Sequence, residues 1–238
     1  LGHCLSFAIL ALILLIEPSF SAESKVGAET QYVFNTLLFL ICGFLVMFMA
    51  PGFAMLESGM VSSKSVASIA TKNIGLFSIA GIMFWLGGYN LAYGIPEGGY
   101  IGSFLPWSDG SKLETGYSDG SDWFFQMVFC ATTVSIVSGA IAERMNQWPF
   151  FALAAFIAGV IYPIQGFWNW GSGFLNAAGY SDFAGSGTVH LAGAACALAA
   201  AIFIGPRVGK YSSSGGVNKL YGSNIPIAAL GTFILWFG

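Results

Sequence analysis

Charge is the scarcest property of this chain: 8 Lys and Arg with 11 Asp and Glu make up only 8% of its 238 residues. A soluble globular domain carries roughly a quarter charged residues, so a water-soluble fold is excluded. The formal charge of -3 offers no basic excess to neutralise phosphates, which excludes nucleic acid as a partner. Cysteine is nearly as rare. Cys4 lies in a leading apolar segment, while Cys42, Cys130 and Cys196 sit inside apolar runs, where a free thiol behaves as a small hydrophobe. No disulfide framework and no CxxC pair for a metal emerges. Period-2 alternation is missing from the apolar runs, which rules out a membrane barrel. The Gly-x-Ser-Gly string of an intramembrane serine protease is missing too. Its nearest approximations, Trp170-Gly171-Ser172-Gly173 and Ala184-Gly185-Ser186-Gly187, lack the leading glycine, and Ser186 lies only four residues before His190. No enzyme, cofactor or metal is expected.

What the chain has in quantity is hydrophobic residues, at 56%, with 32 Gly and 22 Phe. Small residues let helix backbones approach closely in lipid, and the expected fold is an all-α polytopic bundle. The leading run at 4–16, followed by Glu17-Pro18-Ser19-Phe20-Ser21-Ala22, has the length and small-residue ending of a secretory signal, although no basic n-region precedes it. Residues 1–22 are read as a cleaved signal peptide, with a retained helix as the alternative, and 23–238 as the membrane domain. About 20 apolar residues cross a bilayer as a helix. Spans are expected at 32–56, 73–93, 123–142, 148–168 and 189–204, the last extended backwards through 183–188, with a sixth starting near Asn224. The bases Lys64, Lys72, Arg144, Arg207, Lys210 and Lys219 then fall on one side, with Lys25 and Lys112 on the other. The positive-inside rule makes the first side cytoplasmic and the mature N-terminus external, as a cleaved signal also requires. The second loop, with Glu97, Asp109, Glu114, Asp119 and Asp122, reads either as an acidic vestibule that concentrates cations or as a merely solvated loop.

Ionisable groups in apolar spans are costly and usually mark function. Apart from His3 in the leading segment, His190 is the only histidine, and its imidazole can exchange a proton near neutral pH. Asp182, eight residues earlier, is suited to capping a helix start; a carboxylate shaping a cation site is the sharper alternative. Gly193, Ala197 and Ala201 form a small-residue stripe suited to a helix contact. Glu57 and Glu143, the latter beside Arg144, read as an ion pair or backbone cap at span ends. Phe125 and Phe129 stack on one helix face at i, i+4, and Trp168 and Trp170 close the fourth span. These aromatics suit core packing or an interfacial belt, or a π-face that holds a cation; spacing does not choose.

Several strings resemble the ammonium transporter family (Amt/Mep/Rh): Glu57-Ser58-Gly59-Met60-Val61, Gly139-Ala140-Ile141-Ala142-Glu143-Arg144, Asp182-Phe183-Ala184-Gly185-Ser186-Gly187-Thr188-Val189-His190, Gly205-Pro206-Arg207-Val208-Gly209 and Trp236-Phe237-Gly238. They look nearer the branch containing plant and cyanobacterial members than the Rhesus glycoproteins. The resemblance implies a plasma-membrane homotrimer with one pore per subunit, each built from eleven helices in two inverted halves. This chain would supply the first half and the opening of the sixth helix. It also implies ammonium or ammonia as substrate, with methylammonium as analogue, and leaves room for a cytoplasmic regulatory protein. By motif, Phe129, Trp170 and Asp182 would form an outer ammonium site, Phe125 and Phe129 a pore gate, and His190 and Trp236 the pore lining. The family's second pore histidine would fall beyond Gly238, so the chain is read as an N-terminal portion. An ammonium sensor of the same fold, signalling through a C-terminal domain, is the alternative function.

Overall fold

A computed structural model describes residues 27–94 and 99–238; the expected signal peptide at 1–22, Lys25 and Glu97 lie outside these residues. Backbone polar groups have no water to bond in lipid, so each crossing segment must satisfy its own as a helix. Five apolar helical runs meet that demand: α1 Ala28–Met60, α2 Ser63–Tyr93, α3 Asp119–Ala140, α4 Gln147–Ala177 and α5 Ser186–Ile204. A shorter apolar helix, α6, covers Ile225–Phe237. Among the described residues there is no strand, only one isolated bridge between Tyr211 and Val217. Within α1 the regular helix is interrupted at Phe48, where Pro51 has no N–H to give the Met47 carbonyl.

Helix α3 runs through the centre, against α1, α2 and α5, while α4 packs on α2 and α6 on α1. Cys130, Val134 and Val137 of α3 are fully buried in a core shared with Leu76, Ala80 and Phe84 of α2 and Ala154 and Ile157 of α4. The expected small-residue contact is present. A Cβ on Gly193 would lie 2.9 Å from both Ile136 Cβ and Thr133 O, so only glycine permits this approach of α5 to α3.

The observed helices start earlier than their apolar runs, which moves two polar residues out of the loops assigned to them. Lys72 is not a loop base. It lies inside α2, buried, with its Nζ 3.1 Å from Glu57 Oε2 and donating to Ser138 O at 3.0 Å. Ser138 Oγ and Asn73 Nδ2 donate to the same Glu57 Oε2, at 2.9 and 3.3 Å, and the ammonium sits 5.2 Å from the Phe150 ring centre. The cluster ties α1, α2 and α3 together. Asp122 likewise belongs to α3 rather than to the loop, buried and accepting hydrogen bonds from Tyr89 Oη and, at 3.1 Å, from Gln126 Nε2. Glu143 is also paired, but with Arg207 at 3.1 Å rather than with its neighbour Arg144. Its Oε1 accepts from Ser62 N at 3.0 Å, from Ser65 Oγ at 2.8 Å and from Ser62 Oγ, joining three inter-helix segments at one end of the bundle. Burial pushes the Glu143 carboxyl up, but the serine hydrogen bonds and Arg207 outweigh it and hold it below the usual range.

Removing one member of a buried ion pair strands the other charge at a cost of about 3–5 kcal/mol. Lys72→Met alone should therefore lower the unfolding free energy in detergent by about that much, and Lys72→Met with Glu57→Gln should recover most of the loss. A single substitution within about 0.5 kcal/mol of wild type would show that the pair carries no structural role.

Candidate functional site

At the end of the bundle opposite Glu143, one carboxylate organises the backbone. The Asp182 Oδ1 accepts from Gly185 N at 2.9 Å and Ser186 N at 3.0 Å, and its Oδ2 from Gly187 N at 2.9 Å and Thr188 N at 2.7 Å. These are the orphan donors at the start of α5, where a negative charge also meets the positive end of the helix dipole. The capping role expected of Asp182 is thus the one its contacts display. Gly185 makes the turn possible with φ of 88°, a left-handed conformation. Burial pushes the Asp182 carboxyl up, yet the N–H donors of Thr188, Gly187 and Gly185 prevail and hold it below the usual carboxylate range.

The same residue reaches back to α4. Its backbone carbonyl accepts the Trp170 indole Nε1–H at 2.6 Å, which fixes the plane of a half-buried ring. Trp170 then meets Phe129 edge-on, with ring centres 5.7 Å apart, and Phe129 meets Phe125 at 5.0 Å and 90°. The three expected aromatics form one contiguous set. Spacing along the sequence misses its extension: Phe39 of α1 lies 5.3 Å from Phe125, and Tyr117 lies 4.9 Å from Phe39. Trp168 stands apart, donating its Nε1–H to Tyr100 O at 2.9 Å.

One turn further along α3, the Thr133 hydroxyl reaches Phe129 O at 3.2 Å and Val189 O at 3.3 Å. His190 therefore follows directly on the residue bonded one turn below the Phe pair. Residues 186–191 wind as a π-helical turn, a distortion common at functional positions. The His190 Nδ1 is 3.3 Å from Gly185 O, and Gln165 Nε2 donates to Thr188 O at 2.6 Å beside it. Thr133 and Gln165 were not singled out in the sequence; Thr133 had a signal available, being i+4 from Phe129. His190 is exposed, on the same uncovered flank as Leu191. Trp236 of α6 is 84% exposed and shares no ring contact with Phe125, Phe129 or Trp170 among the described residues. The structure thus joins Phe125, Phe129, Trp170, Asp182 and His190 in one connected region and leaves Trp236 outside it. No group of three or more His, Cys, Asp or Glu suited to a metal occurs among the described residues.

With both Asp182 oxygens occupied, its contribution runs through the groups it positions. Asp182→Ala should lower stability by about 1–2 kcal/mol, the usual cost of a lost cap. An unfolded aspartate titrates near about pH 3.9, above the folded Asp182. The cap's stabilisation is complete above that pH and lost as pH falls through the lower folded value. Thermal melts in detergent should show a steeper acid limb below about pH 4 for wild type than for Asp182→Asn; superimposable acid limbs would contradict this.

Comparison with known proteins bears on the same region. The profile of the Ammonium Transporter Family matches residues 37–238. Amt2 of Archaeoglobus fulgidus, an ammonium transporter, is 40% identical over 97% of this chain and 52% of its own length. Among solved structures, one titled Sensor Amt Protein is 39% identical with a TM-score of 0.78, covering 85% of this chain and 52% of its own. Mep2 of Candida albicans is 25% identical with a TM-score of 0.74, covering 90% of this chain and 48% of its own. The chain spans about half the length of the curated relatives it matches.

Proposed function

Because the chain belongs to the ammonium transporter family, we propose that the intact protein carries ammonium across a membrane through a path that begins at Trp170 and Phe129. The observation that carries this reading is the run of contacts from the Trp170–Phe129–Phe125 rings through Thr133 to the carbonyl of Val189, the residue before His190. Potassium and ammonium have the same charge and similar size, so a simple cation filter passes both. Aromatic π-faces attract a cation by about 0.5–2 kcal/mol, more when it is dehydrated. Directed acceptors favour a tetrahedral N–H donor over a spherical ion. Beyond the Phe125–Phe129 pair an apolar constriction opposes any charged species. There ammonium can give its proton to the neutral His190 imidazole and proceed as ammonia, which potassium cannot. The His190 imidazole is the polar station that takes up this proton and passes it on, and it offers ammonia a hydrogen-bonding partner along the greasy path.

Asp182 belongs to this site as the residue that aligns Trp170 and starts α5. Trp236 would line the same path only in the intact protein. The orientation follows from the bases. Lys64, Arg144, Arg207, Lys210 and Lys219 belong to the Glu143 end, against Lys112 at the other, a bias that supports an external aromatic site with an external mature N-terminus. We place the protein in the plasma membrane as a homotrimer. A sensing role is the second reading, favoured by the 39% identity to the protein titled Sensor Amt Protein.

In the intact protein, His190→Ala should abolish selective methylammonium uptake while leaving the oligomer unchanged by size-exclusion chromatography. Uptake equal to wild type would remove His190 from the path. Trp170→Leu should weaken apparent ammonium affinity about fivefold, the loss of roughly 1 kcal/mol of cation–π attraction. Unchanged affinity with a dissociated oligomer would make the tryptophan a structural anchor instead. Binding without any measurable flux in proteoliposomes would favour the sensor.

A further inference from the structure

At the Glu143 end, three cations converge on a hollow away from the Trp170–Phe129 rings. A cavity of about 350 Å³ is lined by Arg144, Pro206, Arg207, Lys210, Tyr211 and Leu220, with no carboxylate among them. Two of the three cations are held through their side chains, and the third through its backbone. Arg144 donates from Nη1 to Gly205 O at 3.0 Å. Arg207 is paired with Glu143 at 3.1 Å. The backbone of Lys210 is tied on both sides, its N–H to Arg207 O at 3.0 Å and its carbonyl to Asn218 N at 2.8 Å. Arg144 and Lys210 have no carboxylate partner among the described residues.

Three positive groups less the one charge of Glu143 leave two in excess. Fixing like charges around a shared hollow is unfavourable unless an anion occupies it, and preorganised guanidinium groups match phosphate oxygens in geometry as well as charge. We propose that this hollow binds a phosphate group, carried either by an anionic lipid headgroup or by a soluble phosphate. The lipid source is favoured by position. The hollow opens directly after α5 ends at Ile204, at the depth where a membrane-spanning helix meets headgroups, and its rim carries exposed Tyr211 and Leu220 with Val208 96% exposed alongside. Lysine and arginine near an anionic surface each contribute about 1 kcal/mol, an affinity factor of about five.

The test uses the intact protein in nanodiscs. Binding of phosphatidylglycerol, read by native mass spectrometry against a phosphatidylcholine background, should weaken about fivefold in Lys210→Gln and further in Arg144→Gln with Lys210→Gln. Lys112→Gln, at the opposite end, should leave it unchanged. A parallel titration with inorganic phosphate in phosphatidylcholine nanodiscs, read by thermal shift, separates the sources. Stabilisation lost in Lys210→Gln identifies soluble phosphate, and no stabilisation with selective phosphatidylglycerol binding identifies the headgroup. Should the double variant fail to fold, Lys210→Gln alone decides, because its side chain makes no hydrogen bond among the described residues. Wild-type binding of both probes in Lys210→Gln, or loss of equal size in Lys112→Gln, would overturn the proposal.

Discussion

The candidate site depends on one carboxylate satisfying four backbone donors. Were the N–H groups of Gly185, Ser186, Gly187 and Thr188 left without acceptors, the start of α5 would fray or need water to bond them. Asp182 answers all four. Its own carbonyl then becomes the fixed acceptor for the Trp170 indole, so capping a helix and aiming an aromatic ring are one act. From that anchor the geometry propagates by contact. Trp170 bears on Phe129, Phe129 on Phe125, and the next turn of α3 carries Thr133 to the carbonyl of Val189, beside His190.

A second polar knot supports this one from the bundle interior. Glu57, Lys72, Asn73 and Ser138 join α1, α2 and α3 through charge-assisted hydrogen bonds in an otherwise apolar region. Burying ions is expensive, and the pair is a poor source of net stability. What it contributes is register: one Lys72 ammonium on α2 meets acceptors on α1 and α3 at once. That arrangement also sets where Phe125 and Phe129 lie along α3. The Gly193 approach then brings α5, and with it His190, to the same helix.

Much of this was readable in residue order because local spacing governs it. The i, i+4 separation of Phe125 and Phe129 puts their rings together on any helix, Asp182 before a glycine-rich segment is a cap on any helix start, and a stripe of small residues invites a close neighbour. What could not be read depends on distant pairing. Lys72 looks like a loop base beside an apolar run because its acceptors, Glu57 and Ser138, lie 15 residues before and 66 after it. Glu143 appears to belong with Arg144, since adjacent residues suggest a pair, but adjacent side chains on a turn point apart and Arg207 arrives from another loop. Phe39 extends the aromatic set with nothing in its own neighbourhood to mark it. Asp122 looks like part of an acidic loop until Tyr89 supplies the donor that permits its burial.

We propose that Trp170 and Phe129, aligned by a fully bonded Asp182, are where the cation first rests. An experimental structure of the intact protein with methylammonium bound examines that directly. Ligand density against the faces of Trp170 and Phe129, with the four N–H bonds to Asp182 intact, is the expected result. Density seated on the Asp182 carboxylate itself, with those bonds broken and the rings unoccupied, would contradict it.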